Sequence, residues 1–252
     1  MRLVRDQLDA YKSTPEPLSG SVLAIENRLN PYEPAGHLVA FYNAIAYDNL
    51  LAVARAAGRA EESQELGLPA FALYGQLRAS IEAAAWGYWL LVGEKKATRI
   101  YRALSVTYGH AEDFEDTLRS LGMDWPAEAR IERLQEIAEG ARLQKGLHGP
   151  PTVSDMLRVV GQTFRRDERG FDALNGWKLC SGMTHGSRPV IYNLSERVAI
   201  GVRDEDGSLS VKLTIRVEVV ATLSVLALDL IKVMHARHAY LSTHDYAGRL
   251  VL

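Results

Sequence analysis

Cysteine is almost missing from this sequence, since Cys180 is the only one in 252 residues. A disulfide needs two cysteines, and a metal site built from thiolates needs more than one. A single chain can therefore form neither a disulfide framework nor a thiolate metal site.

Long uninterrupted apolar runs are also missing. The longest apolar stretch, over 70–92, is broken by Gln76, Arg78 and Glu82, and a membrane span rarely carries an arginine and a glutamate near its middle. The N-terminal residues 1–13 are charged and amphipathic and lack the apolar centre of a secretory signal. We therefore expect a cytoplasmic protein with no membrane partner.

The chain lacks a strong net charge as well. It carries 29 basic and 31 acidic residues, for a formal net charge of −2. A protein that holds nucleic acid by bulk electrostatics usually has a strongly basic surface, so the composition disfavours that class without excluding a local basic patch. No glycine-rich phosphate loop, dinucleotide-binding fingerprint or helix-turn-helix signature is present. We expect no DNA partner and no cofactor.

Apolar residues make up 47% of the sequence and recur at helical spacing over most of its length. This pattern predicts an all-α, multi-helix bundle that forms one domain over 1–252. We expect a short helix and an irregular segment over 1–34, a first helical group over 35–146 and a second over 152–252. The helix over 70–92 is apolar on most sides, which is typical of a central helix.

One region departs from the helical pattern. Apolar residues alternate with small or polar ones in two short runs, at Val198, Ile200 and Val202 and again at Leu209, Val211 and Leu213. An acidic turn over 203–208, with an Asp-Gly pair, joins the two runs. This arrangement predicts one inserted β-hairpin near residues 197–214.

The central helix carries the first candidate site. Arg78 and Glu82 are four residues apart, so they share a face and can pair. The pair is either a structural ion pair that ties neighbouring helices together or a site at which Arg78 faces an anionic ligand. Arg99 and Arg102 follow one turn apart in the next helix. Three arginines against one glutamate would leave positive charge suited to a phosphate or carboxylate ligand.

A second candidate site lies in the segment 177–188. On a helix, Lys178, Ser181 and His185 fall on one side, at spacings of three and four. His185 would then lie at the helix C-terminus, where Gly186 is placed for a left-handed cap. Ser181 and His185 either hydrogen-bond to each other or to the last carbonyls and merely end a helix, or form part of a catalytic group.

Both candidate sites need partners if they are buried. Unpaired ionic groups inside a bundle are strongly unfavourable. We therefore expect one internal cluster, formed by Arg78, Glu82, Arg102, Ser181 and His185.

These motifs carry a family resemblance. The segments 77–91, 98–105 and 177–187 resemble a group of uncharacterised bacterial helical proteins, common in actinomycetes. These proteins share an Arg-x3-Glu-Ala-Ala pattern in one helix and an aromatic-Arg-x2-Ser-x3-His-Gly pattern in another. That group is in turn similar to HEPN-type helical bundles, several of which are ribonucleases or components of toxin and phage-defence systems. The resemblance implies a helical bundle. It also implies, as one alternative, metal-independent RNA cleavage.

The resemblance is incomplete at its catalytic motif. In HEPN proteins an arginine, four to six residues and then a histidine form the RNA-cleaving site, usually across a dimer. His185 matches the histidine, but Lys178 stands where the arginine belongs, and lysine lacks the bidentate fork of a guanidinium. Two functions therefore stay open: a bundle whose polar cluster is structural or binds a ligand or partner, and an HEPN-like ribonuclease.

The remaining expectations concern metals and partners. His235, His238 and His244 indicate a polar, solvated helix end, and no Glu-x-x-His motif occurs, so we expect no metal site. A bundle with a hairpin edge and a long apolar C-terminal helix is expected to form a homodimer. RNA or a protein is the further partner that the resemblance allows.

Overall fold

The computed structural model describes residues 1–62, 71–123, 127–143, 146–164, 172–201 and 210–251. These contain ten α-helices and one two-stranded antiparallel sheet, which confirms the prediction of an all-α bundle with an inserted hairpin. The helices are α1 (Arg2–Leu8), α2 (Val22–Leu29), α3 (Ala35–Glu62), α4 (Ala72–Leu91), α5 (Lys96–Ser120), α6 (Ala127–Gly140), α7 (Val153–Thr163), α8 (Ala173–Thr184), α9 (Arg188–Leu194) and α10 (Val217–Thr243).

Helix α4 lies at the centre of the bundle. Its side chains Leu73, Leu77, Ile81 and Leu90 are fully buried, and α3, α7, α8 and α10 pack around it. This position follows from the apolar residues on most sides of the helix, because each apolar side needs a packed neighbour. None of the helices in the described ranges is long and apolar enough to cross a membrane.

Helix α2 lies within the segment that the sequence predicted to be irregular. Ser21 caps its first turn, because the Ser21 hydroxyl accepts a hydrogen bond from the amide of Ala24. Val22 and Leu23 are buried in the main core. The prolines that suggested irregular chain lie on either side of this helix, so they bound it without interrupting it.

The hairpin consists of β1 (Ser195–Ile200) and β2 (Ser210–Ile215), with Ser195 opposite Ile215 and Val198 opposite Lys212. Its base is buried, whereas most of its length is exposed, including Val198 at 56% and Ile200 at 53%. The predicted turn over 203–208, with Val202 and Leu209 beside it, lies outside the described residues. The hairpin leaves the bundle between α9 and α10.

Two histidines of α10 correct the sequence-based interpretation of its end. His238 is 1% exposed, and its Nδ1 lies 3.3 Å from the Ser242 hydroxyl. His235 lies 2.9 Å from the side-chain oxygen of Asn43 and packs edge-on against the Tyr11 ring. The interpretation of these two residues as part of a solvated helix end was wrong, because the N-terminal segment and α3 cover this side of α10.

Candidate functional site

A cleft of about 370 Å³ runs along one side of α4. Helix α4 supplies its floor, α3 one wall and α5 a further side chain, His110. The lining residues are Tyr42, Ile45, Gly75, Arg78, Ala79, Glu82, Ala83, Trp86 and His110. Arg78, Glu82 and Trp86 are four residues apart and therefore follow one another along a single helix face.

The Arg78 guanidinium lies at the end of the cleft nearest α8. Its Nη2 is 3.9 Å from Glu82 Oε2, and its Nη1 is 3.5 Å from Nε2 of His185. The group also lies over the Trp177 ring, 5.1 Å from the ring centre. The Nε atom of Arg78 is buried and has no hydrogen-bond partner among the described residues. The guanidinium is thus held by long contacts only.

Glu82 connects α4 to α8. Its Oε2 accepts a hydrogen bond of 2.7 Å from the indole N–H of Trp177, so one carboxylate oxygen is engaged by a neutral donor and by the edge of Arg78. On the α3 side, burial raises the pKa of Tyr42 well above its usual value, and the charge of Glu82 raises it further. Tyr42 therefore stays a neutral hydroxyl next to the carboxylate.

His185 marks the C-terminal end of α8 and is exposed. Its amide donates to the carbonyl of Ser181 at 2.9 Å, and Gly186 follows with φ of +74°, as the predicted cap requires. Ser181 is half-buried and Lys178 is exposed. Within the described part of the chain, no side-chain hydrogen bond joins Ser181 or Lys178 to His185.

Of the five residues expected to form one internal cluster, Arg78 contacts Glu82 and His185, and these three lie at the surface and not inside the bundle. The side chains of Arg78 and Glu82 are 30% and 27% exposed. The cluster lies where α4, α8 and the cleft meet. This position gives a ligand access to the arginine that a fully internal cluster would deny.

Arg99 lies in a different cluster. Its Nε and Nη2 bind the two carboxylate oxygens of Glu26 at 2.9 and 2.5 Å, and its Nη1 donates to the carbonyls of Gly93 and Glu94. The Arg99 and Glu26 side chains are 4% and 1% exposed. Tyr246 donates a further hydrogen bond to Glu26. All three nitrogens of this guanidinium are thus bound within the protein.

Arg102 joins this second cluster rather than the cleft. Its Nη1 donates to the carbonyl of Trp89, and its guanidinium lies over the Trp89 ring. Arg237 donates in the same way to the carbonyl of Leu91. Both arginines bind carbonyls of the last turn of α4, which lack partners within the helix and lie at the negative end of its dipole.

Burial and a neighbouring positive charge affect the pKa of Arg102 and the pKa of Arg237 in the same way. Burial lowers both, and the positive charge of Arg99 lowers them further. Arg99 therefore repels Arg102 and Arg237, and the α4 carbonyls and Glu26 hold the three guanidinium groups in place.

Several residues of both clusters have no clear sequence signal. Glu26 lies in a segment that was predicted to be irregular, and His110 lies on the exposed face of α5. Trp86 is the exception, because it continues the four-residue spacing of Arg78 and Glu82. That spacing alone would have been enough to add the Trp86 ring to the candidate site formed by Arg78 and Glu82.

Comparisons of the chain with models of known protein families, with curated proteins and with solved structures gave no match. Among the described residues, no group of three or more histidine, cysteine, aspartate or glutamate side chains is arranged to hold a metal ion.

Proposed function

We propose that the protein binds an anionic ligand in the cleft beside α4, with Arg78 as its main contact. One observation carries the proposal: the Arg78 guanidinium borders a cleft, and its polar contacts with the described residues are long, at 3.5 and 3.9 Å. A guanidinium can form five hydrogen bonds in a planar fork that fits phosphate and carboxylate. Arg78 has this capacity to spare, whereas Arg99 has used it on Glu26 and two carbonyls.

The surroundings of Arg78 support an anion rather than a cation. Its neighbour Glu82 accepts a hydrogen bond from the Trp177 indole N–H, which stabilises the carboxylate independently of Arg78. His185 and Lys178 are exposed on α8, and each can add a donor to a bound anion. The Trp177 ring beneath Arg78 orients the guanidinium through a cation–π contact.

Thermal unfolding in the presence of anions tests this function. A ligand that binds only the folded state stabilises it by RT ln(1 + [L]/Kd), so the melting temperature rises with the ligand concentration. We expect phosphate to raise the melting temperature of the wild type and of Arg119→Gln, whose arginine pairs with Glu115 near the C-terminal end of α5. We expect no such increase in Arg78→Gln. An equal increase in all three proteins would reject a site at Arg78.

A second function, metal-independent RNA cleavage, is supported by the position of His185. The exposed His185 and the Arg78 guanidinium lie 3.5 Å apart. They resemble the histidine–arginine pair of HEPN-type proteins, in which both residues come from one sequence motif. Here the arginine comes from α4 instead of the Lys178 position. In this proposal His185 accepts the proton of a ribose 2′-hydroxyl as general base, while Arg78 and Lys178 hold the phosphate.

Incubation of purified protein with mixed RNA and a chelator distinguishes the two functions. Cleavage by the wild type that is lost in both His185→Ala and Arg78→Gln would establish the nuclease. If RNA stays intact while phosphate still stabilises the wild type, the protein binds without cleaving. Arg119→Gln serves again as the control, because it changes a surface arginine far from His185 in sequence and on another helix.

The expected homodimer stays a prediction, as does a protein or RNA partner. The exposed hairpin, with unpaired outer edges on both described strands, supports association, because such edges readily pair with another chain. Light scattering at micromolar concentration should give twice the monomer mass. A monomer mass there would reject the homodimer.

A further inference from the structure

One face of α4 presents a cation, a carboxylate and an aromatic ring in that order along the cleft. These are Arg78, Glu82 and Trp86, each four residues from the next, and all three line the cleft. Since an α-helix rises about 1.5 Å per residue, the first and last are about 12 Å apart along the helix axis. A ligand that contacts all three must therefore be elongated and must change character along its length.

We propose that this ligand is a ribonucleotide unit that lies along α4. Its phosphate binds Arg78 and His185, its ribose hydroxyls bind Glu82, and its base packs against Trp86 and Tyr42. The inference rests on the proposed function, because it uses the same anion site at Arg78. It adds the class of ligand and the direction in which the ligand lies.

The carboxylate in the middle of the cleft suits the sugar. Glu82 Oε2 is engaged by Trp177, whereas Oε1 has no hydrogen-bond partner within the described ranges. An ionised carboxylate only accepts hydrogen bonds, and an acidic side chain that accepts from ribose hydroxyls is a recurrent feature of nucleotide sites. A deoxyribose lacks the 2′-hydroxyl and would lose part of this interaction.

The far end of the cleft suits a planar base. Trp86 and Tyr42 stack with their rings 18° from parallel, and Trp86 retains 9% exposure, so an edge of this aromatic pair borders the cleft. His110 lines the same cleft from α5 and can exchange hydrogen bonds with the rim of a base. Aromatic and histidine side chains are common contacts of unpaired bases.

The floor of the cleft allows a flat ligand to approach closely. Gly75, Ala79 and Ala83 form a second row on α4 beside the charged one, also with a spacing of four residues. Glycine has no side chain, and the methyl groups of the two alanines are too small to fill the cleft. Its volume of about 370 Å³ lies in the range of small-molecule sites, about 300–1,000 Å³.

Calorimetric titration of the 252-residue chain tests the inference with a graded set of ligands. The set is inorganic phosphate, ribose 5-phosphate, a 2′-deoxyribonucleoside 5′-monophosphate and the four ribonucleoside 5′-monophosphates. We expect the best ribonucleotide to bind at least about tenfold more tightly than ribose 5-phosphate, and about tenfold more tightly than its deoxy counterpart, which is the effect of losing one hydrogen bond to a charged group.

Variants assign each part of the ligand to its residue. Glu82→Gln should remove most of the preference for ribose over deoxyribose while phosphate binding remains. Trp86→Phe should reduce the preference for nucleotides over ribose 5-phosphate. Arg119→Gln should bind like the wild type. Because the ligand series on the wild-type protein is decisive alone, the inference stays testable even if a variant fails to fold.

The outcomes separate the inference from the proposed function. Equal binding of phosphate, ribose 5-phosphate and nucleotides would overturn the ribonucleotide inference and leave the anion site intact. Binding of no anion at all would overturn both. A ten-nucleotide single-stranded RNA forms a further arm. Tighter binding of the oligomer than of the monophosphate identifies RNA as the source of the unit, and equal or weaker binding identifies a free nucleotide.

Discussion

The two ends of helix α4 carry two arginine clusters with opposite properties. Near its N-terminal end, Arg78 borders the cleft, is partly exposed and makes only long polar contacts. Beyond its C-terminal end, Arg99 is enclosed, and each of its three nitrogens binds an oxygen of the protein. Arg78 is thus loosely held near one end of the helix, whereas Arg99 is fully hydrogen-bonded beyond the other end.

This contrast is the reason why we propose a binding site at Arg78 and not at Arg99, because only Arg78 has unused hydrogen-bonding capacity among its described neighbours. At the α4 C-terminus, Glu26 and the helix carbonyls satisfy the guanidinium groups, which fits a structural role. At the cleft, the contacts of Arg78 are too long to satisfy it. We therefore expect the Arg99 cluster to contribute mainly to stability and the Arg78 cluster to contribute mainly to binding.

The largest effect on stability is expected at Glu26. Glu26→Gln removes the carboxylate that pairs with Arg99 among the described residues and leaves a buried charge without that counter-ion, which should lower the free energy of unfolding by about 3–5 kcal/mol. Urea denaturation monitored by circular dichroism measures the change. Arg119→Gln, which breaks an exposed pair, should change it by less than about 1 kcal/mol. Similar losses in the two variants would end the contrast between buried and exposed pairs.

The next largest effect concerns pH and His238. Burial, followed by the nearby His235, lowers the pKa of His238 to about 4, from an unfolded value near 6.5. Because the unfolded state then binds a proton that the folded state excludes, stability should fall as the pH drops below about 6.5 and should level off below about 4. The expected loss between pH 7 and pH 4 is about 3 kcal/mol.

His238→Gln isolates this contribution. The variant keeps a polar group near Ser242 but cannot titrate, so its stability should decline less between pH 7 and pH 4 than that of the wild type. The comparison uses the difference between the two urea-denaturation curves at each pH, which cancels the carboxylates common to both. Parallel curves would show that His238 titrates normally.

A smaller loss is expected when α8 is moved away from the core. A Cβ at Gly176 would collide with the Leu226 side chain of α10, so Gly176→Ala should lower the free energy of unfolding by about 1–3 kcal/mol. It should also weaken anion binding at the cleft, because Trp177 and His185 move with α8. Unchanged phosphate stabilisation in a destabilised variant would mean that α8 adds nothing to the site.

Removing the hydrogen bond between α8 and Glu82 should have a still smaller effect. Trp177→Phe keeps a ring beneath Arg78 but loses the indole N–H that donates to Glu82, a loss of about 1 kcal/mol for a partly exposed bond. Thermal or urea unfolding measures it. A loss as large as that of Glu26→Gln would indicate that the cleft cluster is as structural as the buried one.

The smallest change in stability is expected at Arg78 and His185 themselves. Both contribute long, partly exposed contacts, so Arg78→Gln and His185→Gln should each change the free energy of unfolding by less than about 1 kcal/mol. The same proteins should lose anion binding. Large destabilisation without loss of binding would reverse the roles assigned to the two ends of α4.

The fold class was largely predictable from local patterns. Apolar residues at helical spacing indicated the long helices, the apolar character of 70–92 indicated the central position of α4, and the alternation around Val198 and Val211 indicated the hairpin. Short elements were harder. Helix α2 was missed because the prolines around it outweighed the capping signal of Ser21 and the buried pair that follows.

The candidate site was predictable only in part. The spacing of Arg78 and Glu82 within one helix determines that they share a face, because four residues complete about one turn. The C-terminal position of His185 on α8 followed equally from Gly186. These relations depend only on the local backbone, so the sequence alone determined them.

Tertiary structure decided which arginines meet which partners. Arg99 and Arg102 lie in the helix that follows Arg78 in the sequence, yet they bind Glu26 and the end of α4. Trp177 and His185 are about a hundred residues from Arg78 in the sequence, yet both contact it. The rotation and crossing of each helix set these contacts. Because both result from packing the whole core at once, no local pattern in the sequence could assign one arginine to stability and another to a cleft.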